Sequence, residues 1–285
     1  MVKTLTHPVT GRTLRFGRRR PLVRLPHLAF KNYTLASLPA PPPVGDYFTT
    51  PVVGVLSQMY GNDTLGDCVI AEMLHTAGVL TGNANGSPGA AVFTLAQAIS
   101  LYSAITGYIP GDPSTDNGTV ITDALAYWQQ TGLLAGAPVP HKIAGSLSVD
   151  VANQEEVKTS IYNFENNVIG FELPDAWVDP VPSASGFIWD VAGPPDPSNG
   201  HCVLAFGYDS LGVIVSTWGM VGHVTWPALA QYCSISNGGE LYTVISTDQL
   251  SVAKQRTPTG INWAQIESDF TALGGTLAVA KGGHL

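Results

Sequence analysis

Charge is what this sequence has least of. Asp, Glu, Lys and Arg make up 12% of its 285 residues, about half the share usual in soluble domains. A surface so poor in charge suits a protein packed against neighbours. Cysteine is scarce as well: three residues give no disulfide framework for a chain of this size. No apolar run reaches the roughly 18–20 residues that cross a bilayer as a helix, so no membrane partner is expected. There is no glycine-rich phosphate loop, no dinucleotide fingerprint and no internal repeat. Cys68, His201, Cys202 and His223 show none of the C-x-x-C or H-x-x-x-H spacings of a zinc site. Neither a metal nor a cofactor is called for.

Acidic residues are missing from the first 45 positions, which hold Lys3, Arg12, Arg15, Arg18, Arg19, Arg20, Arg24 and Lys31. The other 240 residues hold all 21 acidic side chains and five basic ones, so a basic arm precedes an acidic body. Pro8, Pro21, Pro26, Pro39 and Pro41 to Pro43 deny the arm a continuous helix and favour an extended path. Residues 1–45 therefore read as an arm that lies on something. Either it folds onto the acidic body, or residues 1–31 bind an acidic partner surface or nucleic acid. Leu22 to Phe30 is broken by Arg24, Pro26 and His27, which is not the pattern of a secretory signal. A cytoplasmic or virion-associated setting is expected.

What is plentiful is apolar residues, at 45%, together with 31 glycines and 21 prolines. The chain can bury a large core and is rich in loops. Val52 to Leu56 is a short strand candidate. From Cys68, Val69, Ile70, Met73, Leu74, Ala77 and Leu80 recur at helical spacing, and Gly82-Asn83 ends the run, with a loop over 82–89. Phe93 to Ile105 and Thr119 to Thr131 predict two more helices, and Gln154 to Asn163 another. Strands are expected at Asn167 to Leu173, His201 to Tyr208, Gly212 to Thr217, His223 to Trp226 and Leu241 to Ser246, with a loop over Pro174 to Pro197. Helices first and strands second predict an α+β fold with a cleft between two lobes: a helical lobe over about 46–150 and an antiparallel β lobe over about 151–250. A C-terminal extension, 251–285, carries one short helix from Trp263 to Leu273.

Chemistry concentrates in two places. Cys68 follows the turn-forming run Gly61-Asn62-Asp63-Thr64-Leu65-Gly66-Asp67 and opens a helix, where the dipole and the unpaired first-turn amides favour thiolate. The neighbouring Asp67 opposes this. His201 stands at the mouth of an apolar strand, placed to project into a cleft. Cys202, next along the strand, faces the other way, into the core.

Gly200-His201-Cys202-Val203-Leu204-Ala205-Phe206-Gly207-Tyr208-Asp209 resembles the G-H-A-V-x-x-x-G-Y strand of papain-like cysteine peptidases. Ser216-Thr217-Trp218-Gly219 is similar to their N-S-W-G segment, and Asp46-Tyr47-Phe48 with Gln58 to Cys68 to the approach to their nucleophile. Asp116-Asn117-Gly118, followed by Ala124-Leu125, Tyr127 and Gly132, resembles the segment that walls their cleft. The resemblance implies a papain-like two-lobe fold in which a Cys68 thiolate attacks an amide carbonyl and His201 protonates the leaving amine. It also places Ser216 where the family's His-orienting Asn stands. Asn62 takes the position of the oxyanion Gln, with Gln58 as the alternative donor. Asp67, Asp116, Gly118, Gly200 and Trp218 fall along the substrate cleft. Ser216 and Asn62 depart from the family pattern, as does Met220-Val221-Gly222-His223, which stands where a second W-G element usually follows.

Two functions follow. One is a cysteine peptidase or amidase acting on a peptide or amide substrate through an acyl-enzyme. The other is a weak or idle papain-like domain with a structural role in a homo- or hetero-oligomeric assembly, for example a virion, anchored by the basic arm. Domains with this G-D-C, G-H and T-W-G pattern resemble ones of bacterial and phage genomes.

Overall fold

The computed structural model describes residues 3–22, 27–84, 89–133 and 140–275. Parts of the expected loop at 82–89, part of the arm including Arg24, and the end of the C-terminal extension lie outside the described residues. Eight helices run in chain order among those described: α1 (Thr50–Leu56), α2 (Cys68–Gly82), α3 (Leu95–Thr106), α4 (Ile121–Gln130), α5 (Gln154–Phe164), α6 (Trp226–Tyr232), α7 (Thr247–Arg256) and α8 (Trp263–Ala272). The strands are β1 (Thr4–Thr6), β2 (Thr13–Arg15), β3 (Gly45–Asp46), β4 (Ile143–Ser148), β5 (Asn167–Glu172), β6 (Phe187–Trp189), β7 (Gly200–Tyr208), β8 (Gly212–Thr217), β9 (Met220–Thr225) and β10 (Glu240–Ser246).

Local chemistry explains most of these elements. Thr94 opens α3 with a capping box shared with Gln97, and Asn153 caps α5 by accepting from the Glu156 amide. The strand expected at Val52 to Leu56 is instead α1. Pro51 occupies its first turn and Val52, Val55 and Leu56 are its buried residues, a helical spacing that a short apolar run conceals. In α2 every residue from Cys68 to Thr81 is buried, so this helix is enclosed on all sides. No helix among the described residues is long and apolar enough to cross a membrane.

One large sheet has the order β4-β10-β5-β7-β8-β9-β6, with β3 added on β7. Its pairs are antiparallel except β6 with β9. All nine residues of β7 are buried. One apolar cluster centres on α2 and includes Cys68 and Cys202. A larger one includes residues of β5, β7 and β8, and a small third joins Val52, Leu56 and Val79 to Leu204 and Phe206. The architecture is the expected α+β. The sheet, however, takes in β4, which the sequence placed with the helices, and β6, which lies inside the expected loop.

The arm folds onto the body. Leu14, Phe16, Phe30 and Tyr33 are buried members of the larger core cluster, and each such side chain stabilises by roughly 1.5–3 kcal/mol. The acidic surface that the basic residues meet is the chain's own. Lys3 pairs with Asp175 at 3.5 Å, Arg15 with Asp116 at 3.1 Å, Arg18 with Glu240 at 2.5 Å, and Arg20 with Glu172. A partner surface or nucleic acid is therefore not what Arg15, Arg18 and Arg20 engage here.

Candidate active site

The stretch from Arg15 to Arg19 threads between the helical part and the sheet as a strap, held through its backbone and through the buried side chains of Phe16 and Arg18. The Arg15 amide donates to the Asn62 carbonyl at 3.2 Å, and the Arg18 amide to the Gly200 carbonyl at 3.1 Å. Thr119 donates to Gly17 at 2.7 Å and accepts from Arg19 at 2.8 Å, which makes a parallel bridge between Arg18 and Thr119. The approach is so close that a Cβ on Gly17 would overlap the Gly66 carbonyl, and one on Gly118 would overlap the Gly17 carbonyl. Glycine is required at both places.

Cys68 and His201 lie beneath this strap. Cys68 begins α2, which packs on β7. The amides of Cys202 and Gly17 point at its sulfur, so the thiol sits against the residue that follows His201. Phe16 meets the His201 ring edge-on at 5.7 Å between centroids. The strap therefore covers both groups at once, and both are 0% exposed. Burial pushes the Cys68 thiol up to about 12 against those two amides, with Asp67 and Glu72 adding to the rise. Burial alone lowers His201 to about 3. Buried here, Cys68 is a thiol and His201 a neutral imidazole, not the ready thiolate expected from the helix start.

The hydrogen bond expected from Ser216 is made by its neighbour. His201 Nε2 bonds Thr217 Oγ1 at 2.7 Å, while His201 Nδ1 is buried with no hydrogen-bond partner. Strand parity is the reason. Ser216 stands opposite Leu204 across β7 and β8, so it projects from the other face than His201 and Thr217. The Ser216 hydroxyl instead donates to Glu72 Oε2 at 3.4 Å. Glu72 accepts from His75 Nδ1 at 2.9 Å, forming a buried polar group behind Cys68. Burial raises Glu72, with His75 opposing.

Trp218 stacks on His201, with ring centroids 4.3 Å apart. It reaches this place from the tight turn Thr217-Trp218-Gly219-Met220, where Trp218 has φ +50° and Gly219 +73°. That left-handed backbone costs a non-glycine residue about 1–2 kcal/mol, which the stacked contact helps to offset.

Asn62 is buried, and its Nδ2 donates to the Arg15 carbonyl at 3.1 Å and to Leu65 at 3.2 Å. A carboxamide thus already holds a peptide carbonyl in the groove. Gln58, the alternative donor, is turned away: its Nε2 donates to the Gly54 carbonyl of α1 at 3.1 Å. Asp67 does not line the groove. It is 0% exposed with its carboxyl turned toward Gly61, and burial drives its pKa well up, favouring the neutral acid that opposes a thiolate least. Asp116 does reach the strap through Arg15, and also accepts from the Gly66 amide at 3.1 Å and from Tyr102 at 2.7 Å. Tyr102 in turn accepts from Gly118 at 2.8 Å, so one tyrosine ties together both walls beneath the strap. Gly118 and Gly200 both lie against the strap: a Cβ on Gly118 would overlap the Gly17 carbonyl, and one on Gly200 the Arg18 carbonyl.

The His201 environment makes stability pH-dependent. Unfolded, the imidazole takes a proton near pH 6.5; folded, it resists until about pH 3. Between these values the unfolded chain binds the extra proton. The stabilisation is complete above pH 6.5 and falls by about 1.4 kcal/mol per unit as the pH drops toward 3. Asp67, Glu72 and Glu165, all raised by burial, contribute with the opposite sign. Urea unfolding of the wild type and His201→Gln isolates the histidine: the wild type is expected to have the steeper acid loss, and equal slopes would contradict the burial of a neutral His201.

No protein-family model and no curated protein matches the chain. Among solved structures it is similar to xylellain, a cysteine protease from Xylella fastidiosa, at 14% identity and a TM-score of 0.59 over 81% of this chain and 96% of that one. It is similar also to digestive procathepsin L2 proteinase from Tenebrio molitor larval midgut, at 14% identity and 0.52 over 78% and 77%. A third is the ragweed cysteine protease Amb a 11 in its proform, at 14% identity and 0.55 over 74% and 68%. The likeness carries the fold: this chain has the papain-like two-lobe α+β architecture.

Proposed function

We propose that this papain-like chain is a cysteine peptidase or amidase, with Cys68 as nucleophile and His201 as acid–base partner, held closed by its own N-terminal strap. The observation that supports this best is the single stretch Phe16-Gly17, which contacts His201 with one residue and the Cys68 sulfur with the next. When the strap withdraws, water returns to the pair. The thiol falls and the imidazole rises toward their ordinary values, and the proton passes from Cys68 to His201 Nδ1. The thiolate forms the S–C bond to the amide carbonyl, Asn62 Nδ2 donates to the oxyanion, and His201 returns the proton to the leaving amine. Water then releases the acyl group. The proforms among the similar structures accord with a closed state of this kind.

Complete burial of the pair also fits the second function, an idle domain in an assembly, and one experiment separates the two. Hydrolysis of fluorogenic peptides is measured for the full chain carrying Phe16→Ala, with and without Cys68→Ala. Turnover that depends on Cys68 supports the peptidase; none with either chain supports the idle domain. In the opened chain, Thr217→Ala removes the hydrogen bond that orients His201 through Nε2, and is expected to lower kcat about 10–100-fold. Ser216→Ala, on the opposite face, is expected to leave kcat nearly unchanged. A larger loss from Ser216→Ala would reverse the assignment of the orienting residue.

A further inference from the structure

The strap's backbone bonds to Gly200 and Thr119 use only amides and carbonyls, so any extended peptide could make them. Its side chains are another matter. Arg18 leaves the strap beside Gly200 and enters a closed pocket where its side chain is 0% exposed and that of Glu240 is 1% exposed. Arg18 Nε and Nη2 both donate to Glu240 Oε1, at 3.0 and 2.5 Å. Tyr242 donates to the other oxygen, Oε2, at 3.1 Å. Arg18 Nη1 is buried without a partner. The pocket exists because residue 170 is glycine: a Cβ there would stand 2.8 Å from Arg18 Nε and 2.8 Å from Ile121 Cδ1.

We propose that the Glu240 pocket binds an arginine side chain of the substrate, and that Arg18 occupies it only while the strap is down. This rests on the proposed peptidase function, since it gives that same groove its selectivity. Withdrawal of the strap leaves a buried carboxylate whose cation has gone, a state that strongly favours a replacement. The replacement must be a guanidinium. Two N–H groups converge on one oxygen with the planar head in the space that Gly170 leaves, a geometry that a fork-shaped donor supplies and a lysine ammonium does not. The pocket opens off the groove at the residue preceding His201, so a peptide held by Gly200 and Thr119 presents a side chain to it.

The test uses the full chain with Cys68→Ala, so that binding is read without turnover, with Phe16→Ala to loosen the strap, and with Arg18→Ala or Arg18→Gln to empty the pocket. The probes are Nα-acetyl-arginine methylamide and its uncharged isostere Nα-acetyl-citrulline methylamide, each at millimolar concentration. The arginine probe is expected to raise the melting temperature by roughly 2–4 °C, the citrulline probe to leave it unchanged, and Glu240→Gln to abolish the rise. Equal shifts from the two probes, no shift from either, or a rise that survives Glu240→Gln would overturn the proposal. If both Arg18 variants fold poorly, refolding yield is the readout: recovery with the arginine probe alone supports the pocket, and recovery with neither or both probes overturns it. Because this chain has no Cys68, the pocket can fail while Cys68-dependent turnover succeeds, and the reverse.

Discussion

Replacing Phe16 by alanine is expected to destabilise the protein by about 3–5 kcal/mol and to lower its melting temperature by roughly 10 °C. The size follows from placement. Phe16 is 3% exposed and packs edge-on against both His201 and Trp218, with centroids at 5.7 and 5.8 Å. Removing the ring takes away the packing that seats the strap on His201 and Trp218, so the strap loosens and water reaches the site. Differential scanning calorimetry gives the value. A loss below about 1 kcal/mol, the scale of a surface substitution, would mean that the strap is a loosely held tail and that the site is closed by something else.

The second large effect is expected at Glu240. Glu240→Leu leaves the Arg18 guanidinium buried without its carboxylate, and breaking one partner of such a pair costs about 3–5 kcal/mol. The double variant Arg18→Met/Glu240→Leu removes both charges and is expected to recover most of that loss, since apolar replacements of matched size serve a closed pocket as well as an ion pair does. Urea unfolding of the two variants supplies the comparison. Equal stability of the single and double variants would show that Arg18 and Glu240 are not energetically coupled, whatever their separation.

Much of the fold was legible in the sequence because apolar spacing is a strong signal over long elements. The helices at Cys68 to Gly82 and Gln154 to Phe164 and the strand at Gly200 to Tyr208 lie close to where periodicity put them. Short elements escaped. Four apolar residues and a glycine after Pro51 fit strand and helix alike, and Phe187–Trp189 pairs in parallel with β9, an arrangement that no local pattern announces. At the candidate site, Cys68, His201 and Asn62 all touch the strap, but orientation was harder to read. Ser216 and Thr217 differ by one residue, and the β7–β8 register, which shifts at the irregularity between Ala205 and Gly207, decides which of them shares a face with His201. Counting inward from the Tyr208–Val213 and Gly207–Ile214 pairs without that shift would set Ser216 opposite Ala205, on the face of His201; the shift sets it opposite Leu204, and no local sequence signal announces it.

The strap was the least visible part. The charge asymmetry showed that a basic arm faced an acidic body and allowed it to fold there. It could not show that Gly17 would lie on Gly66, or that Arg18 would enter a pocket emptied by Gly170. Both depend on close approaches between residues far apart in the chain. The same omission explains the reversed reactivity of Cys68. A helix start favours thiolate, but desolvation under the strap outweighs the dipole and carries the thiol to about 12.

The account turns on Cys68 and His201 forming one reactive pair beneath a removable cover. Alkylation of Cys68 by iodoacetamide at pH 7, followed by mass spectrometry in the full chain, in Phe16→Ala and in Phe16→Ala/His201→Ala, measures this most directly. The predicted result is slow labelling in the full chain, an increase of at least about tenfold on Phe16→Ala as thiolate becomes accessible, and loss of most of that increase when His201 is also removed. Identical rates in the two opened chains would contradict it, since the thiol would then be reacting without the imidazole.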